Sequence, residues 1–175
     1  VVGGFLAESQ IRIDVIMLGF FVSDSLVGIY SLASTLGEGF FNLLVVVRNN
    51  VNPVLVRLFR SGEVEAVKKL AIKIQLLIYP AAFLVGGLVV VIFPVFIELF
   101  FYDLEYGEAI DVLAVLIFGF AIYSGFLPFD FALLQLGRPS MHTMFMGCVT
   151  ITNIFLNVIL IPQLGILGAA IATAT

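Results

Sequence analysis

An all-α, polytopic transmembrane bundle is the fold class this sequence predicts, and three observations predict it. Of its 175 residues, 62% are hydrophobic and only 11% are charged. A soluble domain of that size cannot hide so much apolar surface. Apolar runs recur at or beyond the roughly 18 residues that a helical span needs, without the alternation of a membrane strand. Lys and Arg collect in alternate links between those runs, the pattern of a chain that crosses repeatedly. The expectation is about five complete spans plus a truncated sixth, in one transmembrane domain over residues 1–175.

The opening span, Phe5–Val22, sets the problem that the other helices must solve. It is apolar enough to enter a bilayer, yet it carries Glu8, Arg12 and Asp14. On insertion scales its large apolar side chains contribute roughly −5 kcal/mol in all. Each charge costs about 2.5–3.5 kcal/mol near the midplane. The sum is marginal or unfavourable, so this helix is expected to border an internal aqueous path and not to face lipid alone.

Ser23-Asp24-Ser25 turns the chain into a second run, Leu26 to about Val54. The stretch at 56–73 is the longest polar one, with Arg57, Arg60, Lys68, Lys69 and Lys73. Ser61 suits a helix N-cap, Glu63 and Glu65 suit a first turn, and Glu65–Lys69 has the i,i+4 spacing of a favourable pair. A short amphipathic helix lying at the interface is expected there. The third span falls within Leu70–Phe101, where Pro80, Gly86, Gly87 and Pro94 predict a kink or an interfacial piece. An acidic link, Tyr102–Asp111, follows, with Tyr102 and Tyr106 suited to an aromatic belt. The fourth span, Val112–Leu134, is expected to break near Pro128. A link at 135–140 holds Arg138. The fifth span, Met141–Ile161, should stop at Pro162, and a sixth should begin at Gly165.

The links at 56–73 and 135–140 carry the basic residues, and they fall on one side if every segment crosses. The positive-inside rule makes that side cytoplasmic and the chain a multi-pass protein of the cytoplasmic membrane. The composition is acidic overall, with 12 Asp and Glu against 8 Lys and Arg and no basic stripe, so nucleic acid is not an expected partner. The lone Cys148 excludes an intramolecular disulfide and is read as a core residue. No metal-ligand cluster, nucleophile elbow or phosphate-cradling glycine loop occurs, so neither an enzyme nor a cofactor is expected. Both ends fall inside span-like segments, so the chain is expected to be a fragment of a longer transporter.

The intramembrane charges are the candidate site. Arg12 lies twelve residues before Asp24 and Glu38 fourteen after it. In an antiparallel hairpin those two positions lie within ~3 Å of the same depth. The expectation is either an ion pair of Arg12 with Glu38, or with Glu8 one helical turn away, that locks the hairpin, or a cationic cavity site with nearby carboxylates such as Asp14 and Glu38 as gates or ion sites. Asp130, beside Pro128, is a further candidate for ion coupling by H+ or Na+. Arg48 is expected to snorkel to the headgroups. Thr150, Asn153 and Asn157 form a polar stripe on the fifth span, suited to helix packing or to lining a cavity. Gly165, Gly168 and Ala172 give a small-residue face for close packing. His142 has no His or Cys partner and is not expected to bind a ligand.

Several motifs carry a resemblance. They are Asp14-x3-Leu18-Gly19, Gly28-x-Tyr30-x2-Ala33, Asn52-Pro53, Tyr106-x2-Ala109-x3-Leu113 and Leu136-Gly137-Arg138-Pro139. The last is Asn153-x3-Asn157-x4-Pro162-x2-Gly165-Ile166-x-Gly168, continuing through Ala169 to Thr173. In this order they resemble the polysaccharide and lipid-linked oligosaccharide flippases of the multidrug/oligosaccharidyl-lipid/polysaccharide exporter superfamily. The resemblance implies one six-helix lobe, the second of two, packed against a missing N-terminal lobe around a central cavity. It also implies alternating access and a polyprenyl-pyrophosphate-linked glycan as substrate, with membrane lipid around it. On that reading Arg12 holds phosphate, with Asp14, Glu38, Asn153 and Asn157 lining the substrate site. A multidrug or cation antiporter, using Asp14, Glu38 and Asp130, and a non-transporting membrane scaffold remain the alternatives.

Overall fold

The computed structural model describes residues 13–100 and 107–175, and every described element is helical. We number the α-helices α1 (13–21), α2 (Asp24–Ser61), α3 (Val64–Phe100), α4 (Gly107–Tyr123), α5 (Ala132–Gln135), α6 (Pro139–Leu164) and α7 (Ile166–Ala174). A 3₁₀ turn, Leu127–Phe129, joins α4 to α5. Among the described residues, α2, α3 and α6 are long and apolar enough to cross a membrane. The chain is therefore membrane-embedded. α4 runs for 17 residues before it breaks, and α1 is described from residue 13 onward.

α4 and α7 hold the middle. α4 packs on α2, α3 and α7, and α7 packs on α6, α4 and α2. The central side chains are Leu18, Tyr30, Leu113, Leu116 and Ile161, all essentially without exposure. The outer helices bury one stripe only. On α3 it runs Ile74, Ile78, Ala82, Gly86, Phe93, Ile97, while Leu77, Leu84, Val91 and Leu99 face outward. An apolar outer face is what hydrocarbon requires, and close contact must then come from small residues. Gly168 shows this directly. A Cβ on it would sit 2.4 Å from the Leu160 carbonyl oxygen, so only glycine lets the α7 backbone lie against that of α6.

Helix ends follow glycine chemistry. Gly62 takes φ 75°. Its N–H donates to the Phe59 carbonyl and that of Glu63 donates to Leu58, both at 3.2 Å. Gly137, at φ 80°, repeats the pattern, with its own N–H bonded to Leu134 at 3.2 Å and that of Arg138 to Leu133 at 2.9 Å. Both are Schellman turns, which leave the last carbonyls satisfied and reverse the chain sharply. They fall in the two basic links.

Several sequence expectations change here. The stretch at 56–73 is not a separate interfacial helix. It is the end of α2 and the start of α3, with Gly62 and Glu63 between them, because both helices continue well past bilayer length. Ser61 accordingly closes α2 instead of capping a new helix, and its hydroxyl donates to Glu63 at 2.9 Å. Glu65 pairs with Lys68 at 3.1 Å, not with Lys69, one of the two helical spacings winning over the other. α3 continues through Pro80 and Pro94, and α6 continues past Pro162 to Leu164. In a packed membrane helix the lost N–H bond is tolerated because neighbours and local adjustment satisfy the freed groups. Cys148 is exposed, not in the core; α6 turns it to the lipid side, where a thiol is as much at home as in an apolar interior. The fourth span breaks as expected, but from Ser124. Pro128 cannot accept the turn that would place its ring against the carbonyl of residue 124. Gly125 sits against the Tyr79 ring, and its carbonyl accepts from Gln75 at 3.3 Å.

Candidate functional site

Two polar clusters lie inside the helices. The first joins α1, α2 and α7. Asp14 is 1% exposed. One carboxylate oxygen accepts the Val15 N–H at 2.8 Å. The other accepts the hydroxyls of Tyr30 and, at 3.2 Å, Thr173. The carboxylate thus has donors on both oxygens, from α1, α2 and α7, the last of them 159 residues away. Beside it on α6, the Asn153 amide donates to the Ala172 carbonyl at 3.1 Å. Asn157 is fully buried and donates to both the Asn153 carbonyl and its side-chain oxygen, while its own Oδ1 lacks a partner among the described residues. The polar stripe of α6 is therefore turned toward α7, next to Thr173. The Thr150 hydroxyl, one turn earlier, bonds back to Met146.

The second cluster joins α2 to the α4–α5 break and the first turns of α6. Arg48 reaches Asp130 at 3.7 Å, with side chains 14% and 10% exposed. Its guanidinium lies 4.3 Å above the centre of the Phe131 ring. That ring also meets His142, centroid to centroid at 5.3 Å. Arg48 Nε, Asp130 Oδ1 and His142 Nδ1 are buried and lack a hydrogen-bond partner among the described residues. Arg48 does not snorkel. The break at Ser124 swings Asp130 and Phe131 beneath α2, and a paired, stacked guanidinium is favoured over a reach to the surface.

The structure brings Asp14, Asn153 and Asn157 to the α7 side of the bundle and leaves Asp130 in the other cluster. Glu38 is half-buried on α2, two turns past Tyr30. Glu8 and Arg12, and with them the expected meeting of Arg12 and Glu38, lie outside the described residues, as do Tyr102 and Tyr106. Sequence reading missed Tyr30 and Thr173 as partners of Asp14. Tyr30 was within reach of the depth reasoning used for Arg12. It lies six residues past Asp24, where Asp14 lies ten before it, a difference of about 6 Å, which a tyrosine side chain spans. Thr173 left no such signal.

With this geometry in place, known proteins give one finding. The chain is similar to a flippase. It is 32% identical over 169 residues to the probable flippase AglR of Haloferax volcanii, a match that takes in 92% of this chain. The chain spans about a third, 34%, of the length of that relative. No family model and no solved structure matches.

Proposed function

We propose that this chain is one lobe of a flippase that carries a lipid-linked oligosaccharide from the cytoplasmic to the outer leaflet by alternating access. One observation carries the reading: the likeness to a probable flippase runs across nearly the whole chain, not over one motif. Three helices long and apolar enough to cross, α2, α3 and α6, support a membrane transporter. On this reading α1 and α4 with α5 cross as well, α7 begins a sixth crossing, and a second lobe completes the cavity. The substrate class is a polyprenyl-pyrophosphate-linked glycan, and Arg12 is the residue that meets its phosphate. A guanidinium suits bidentate phosphate contact, and mid-membrane charge belongs beside a wet path. The basic turns at Gly62 and Gly137 face the cytoplasm.

The Asp14 cluster fits ion coupling. A buried carboxylate ringed by the Tyr30 and Thr173 hydroxyls and tied to α7 binds H+ or Na+ and transmits the change to α1, α2 and α7 together. No cofactor and no chemical step enter this mechanism. A cation antiporter would use the same acid, so the phosphate-binding arginine separates the two readings.

In the protein as it occurs in the cell, Arg12→Ala abolishes surface glycan export while membrane abundance holds. Arg12→Lys also impairs export, because a point charge loses the fork geometry. Wild-type export from Arg12→Ala would retire the reading.

A further inference from the structure

Arg48 is built unlike a structural ion pair. Its one carboxylate contact among the described residues, at 3.7 Å, is longer than a hydrogen bond. Its flat face is taken by Phe131, and its Nε is buried without a partner among the described residues. A stacked guanidinium keeps its N–H edge free, the edge that grips phosphate. His142 is 3% exposed with Nδ1 unpartnered, packs on the same ring, and lies in the first turns of α6, where helix dipoles favour an anion. The Tyr123 hydroxyl donates to Asp130, whose Oδ1 is unpartnered among the described residues. Two orphaned nitrogens against one aromatic ring, with an orphaned carboxylate oxygen beside the guanidinium, describe a site that its own carboxylate half occupies.

We propose that Arg48 and His142 form a phosphate-binding site at the cytoplasmic mouth of the lobe, and that Asp130 is the competing anion an arriving phosphate displaces. The phosphate is that of a lipid-linked substrate, so the proposal rests on the flippase reading for its source. It is a separate station from Arg12. Depth sets it apart. Arg48 is 24 residues past Asp24, about 36 Å along α2 and near the inner boundary of the bilayer. A substrate arriving from the cytoplasmic leaflet meets this site first.

The test is a titration of the purified full-length protein with inorganic pyrophosphate, with farnesyl pyrophosphate, and with vesicles of phosphatidylglycerol against phosphatidylcholine. Asp130→Asn tightens pyrophosphate binding about tenfold, since a rival charge is gone and the donors remain. Arg48→Gln weakens it at least about tenfold, and Arg48→Lys falls between. A purely structural pair predicts that Asp130→Asn and Arg48→Gln act in the same direction. Parallel weakening, or an unchanged constant in folded Asp130→Asn, overturns the site. His142→Gln leaves the ion pair standing and weakens binding about fivefold. Wild-type affinity there overturns the proposal even where Asp130→Asn does not fold. Farnesyl pyrophosphate shifting with inorganic pyrophosphate supports a lipid-linked source. A response confined to phosphatidylglycerol vesicles overturns that source in favour of bilayer headgroups. Export lost in Arg12→Ala with pyrophosphate affinity unmoved in Asp130→Asn removes this site alone and leaves the flippase reading intact.

Discussion

The Asp14 and Arg48 clusters use similar ingredients to opposite ends. At Asp14 both carboxylate oxygens are engaged, by donors from α1, α2 and α7, and exposure is close to nil. At Arg48 the partners touch loosely, and a nitrogen and two oxygen-or-nitrogen neighbours are left over. Buried polar groups cost free energy when unpaired, so the Asp14 carboxylate holds its helices together until a proton or cation alters it, whereas the Arg48 group has donors to spare for a further ligand. The difference teaches that burial alone does not say what a charge can take up. What matters is which of its hydrogen-bonding positions remain unused.

The contrast can be broken at the seam that closes the first cluster. Gly168→Val pushes α7 off α6 and carries Thr173 away from Asp14, so the loss is the largest, about 3 kcal/mol. Unfolding of the purified protein, followed by helical circular dichroism, measures it. A midpoint within error of wild type means that the backbones do not lie as close as Gly168 implies. Tyr30→Phe sharpens the comparison. It removes one donor from Asp14 and lowers stability by about 1 kcal/mol in the same assay, and a neutral result shows the network slack. The double change Arg48→Gln with Asp130→Asn has the smallest effect, no more than about 1 kcal/mol either way, because a buried 3.7 Å pair replaced whole leaves no charge uncompensated. A loss beyond that of Tyr30→Phe would make the second cluster as structural as the first.

Much of the fold was legible in the residues. Hydropathy marked the helices, Asp24 and Gly165 marked turns, and Pro128 marked a broken fourth segment. Gly168 was read correctly as a packing glycine, since small residues on an apolar helix have few other uses. The polar stretch at 56–73 misled because charge density reports distance from hydrocarbon, not a helix boundary. The Schellman glycine was the signal to weigh there, and it was passed over for Ser61.

The site was legible by type and hidden by partner. Asp14 stood out as a charge in an apolar run, but Thr173 lies 159 residues away, and only the packing of α7 brings it close. Arg48 sat near a span end, the usual place for snorkelling. That Asp130 swings beneath it follows from Gly125 seating against Tyr79, a contact between helices that no local pattern announces.

The α2–α3 hairpin has a mechanical corollary. With 38 residues α2 is about 57 Å long, against a hydrocarbon slab of about 30 Å. Tilting to about 40° leaves some 14 Å of excess, and the charges around Gly62 put it all on one side. The pair therefore stands out of the bilayer as a stiff lever arm. A rotation of the bundle by about 15° would sweep the tip roughly 15 Å through the aqueous phase, an amplified readout of a motion that is slight within the bilayer.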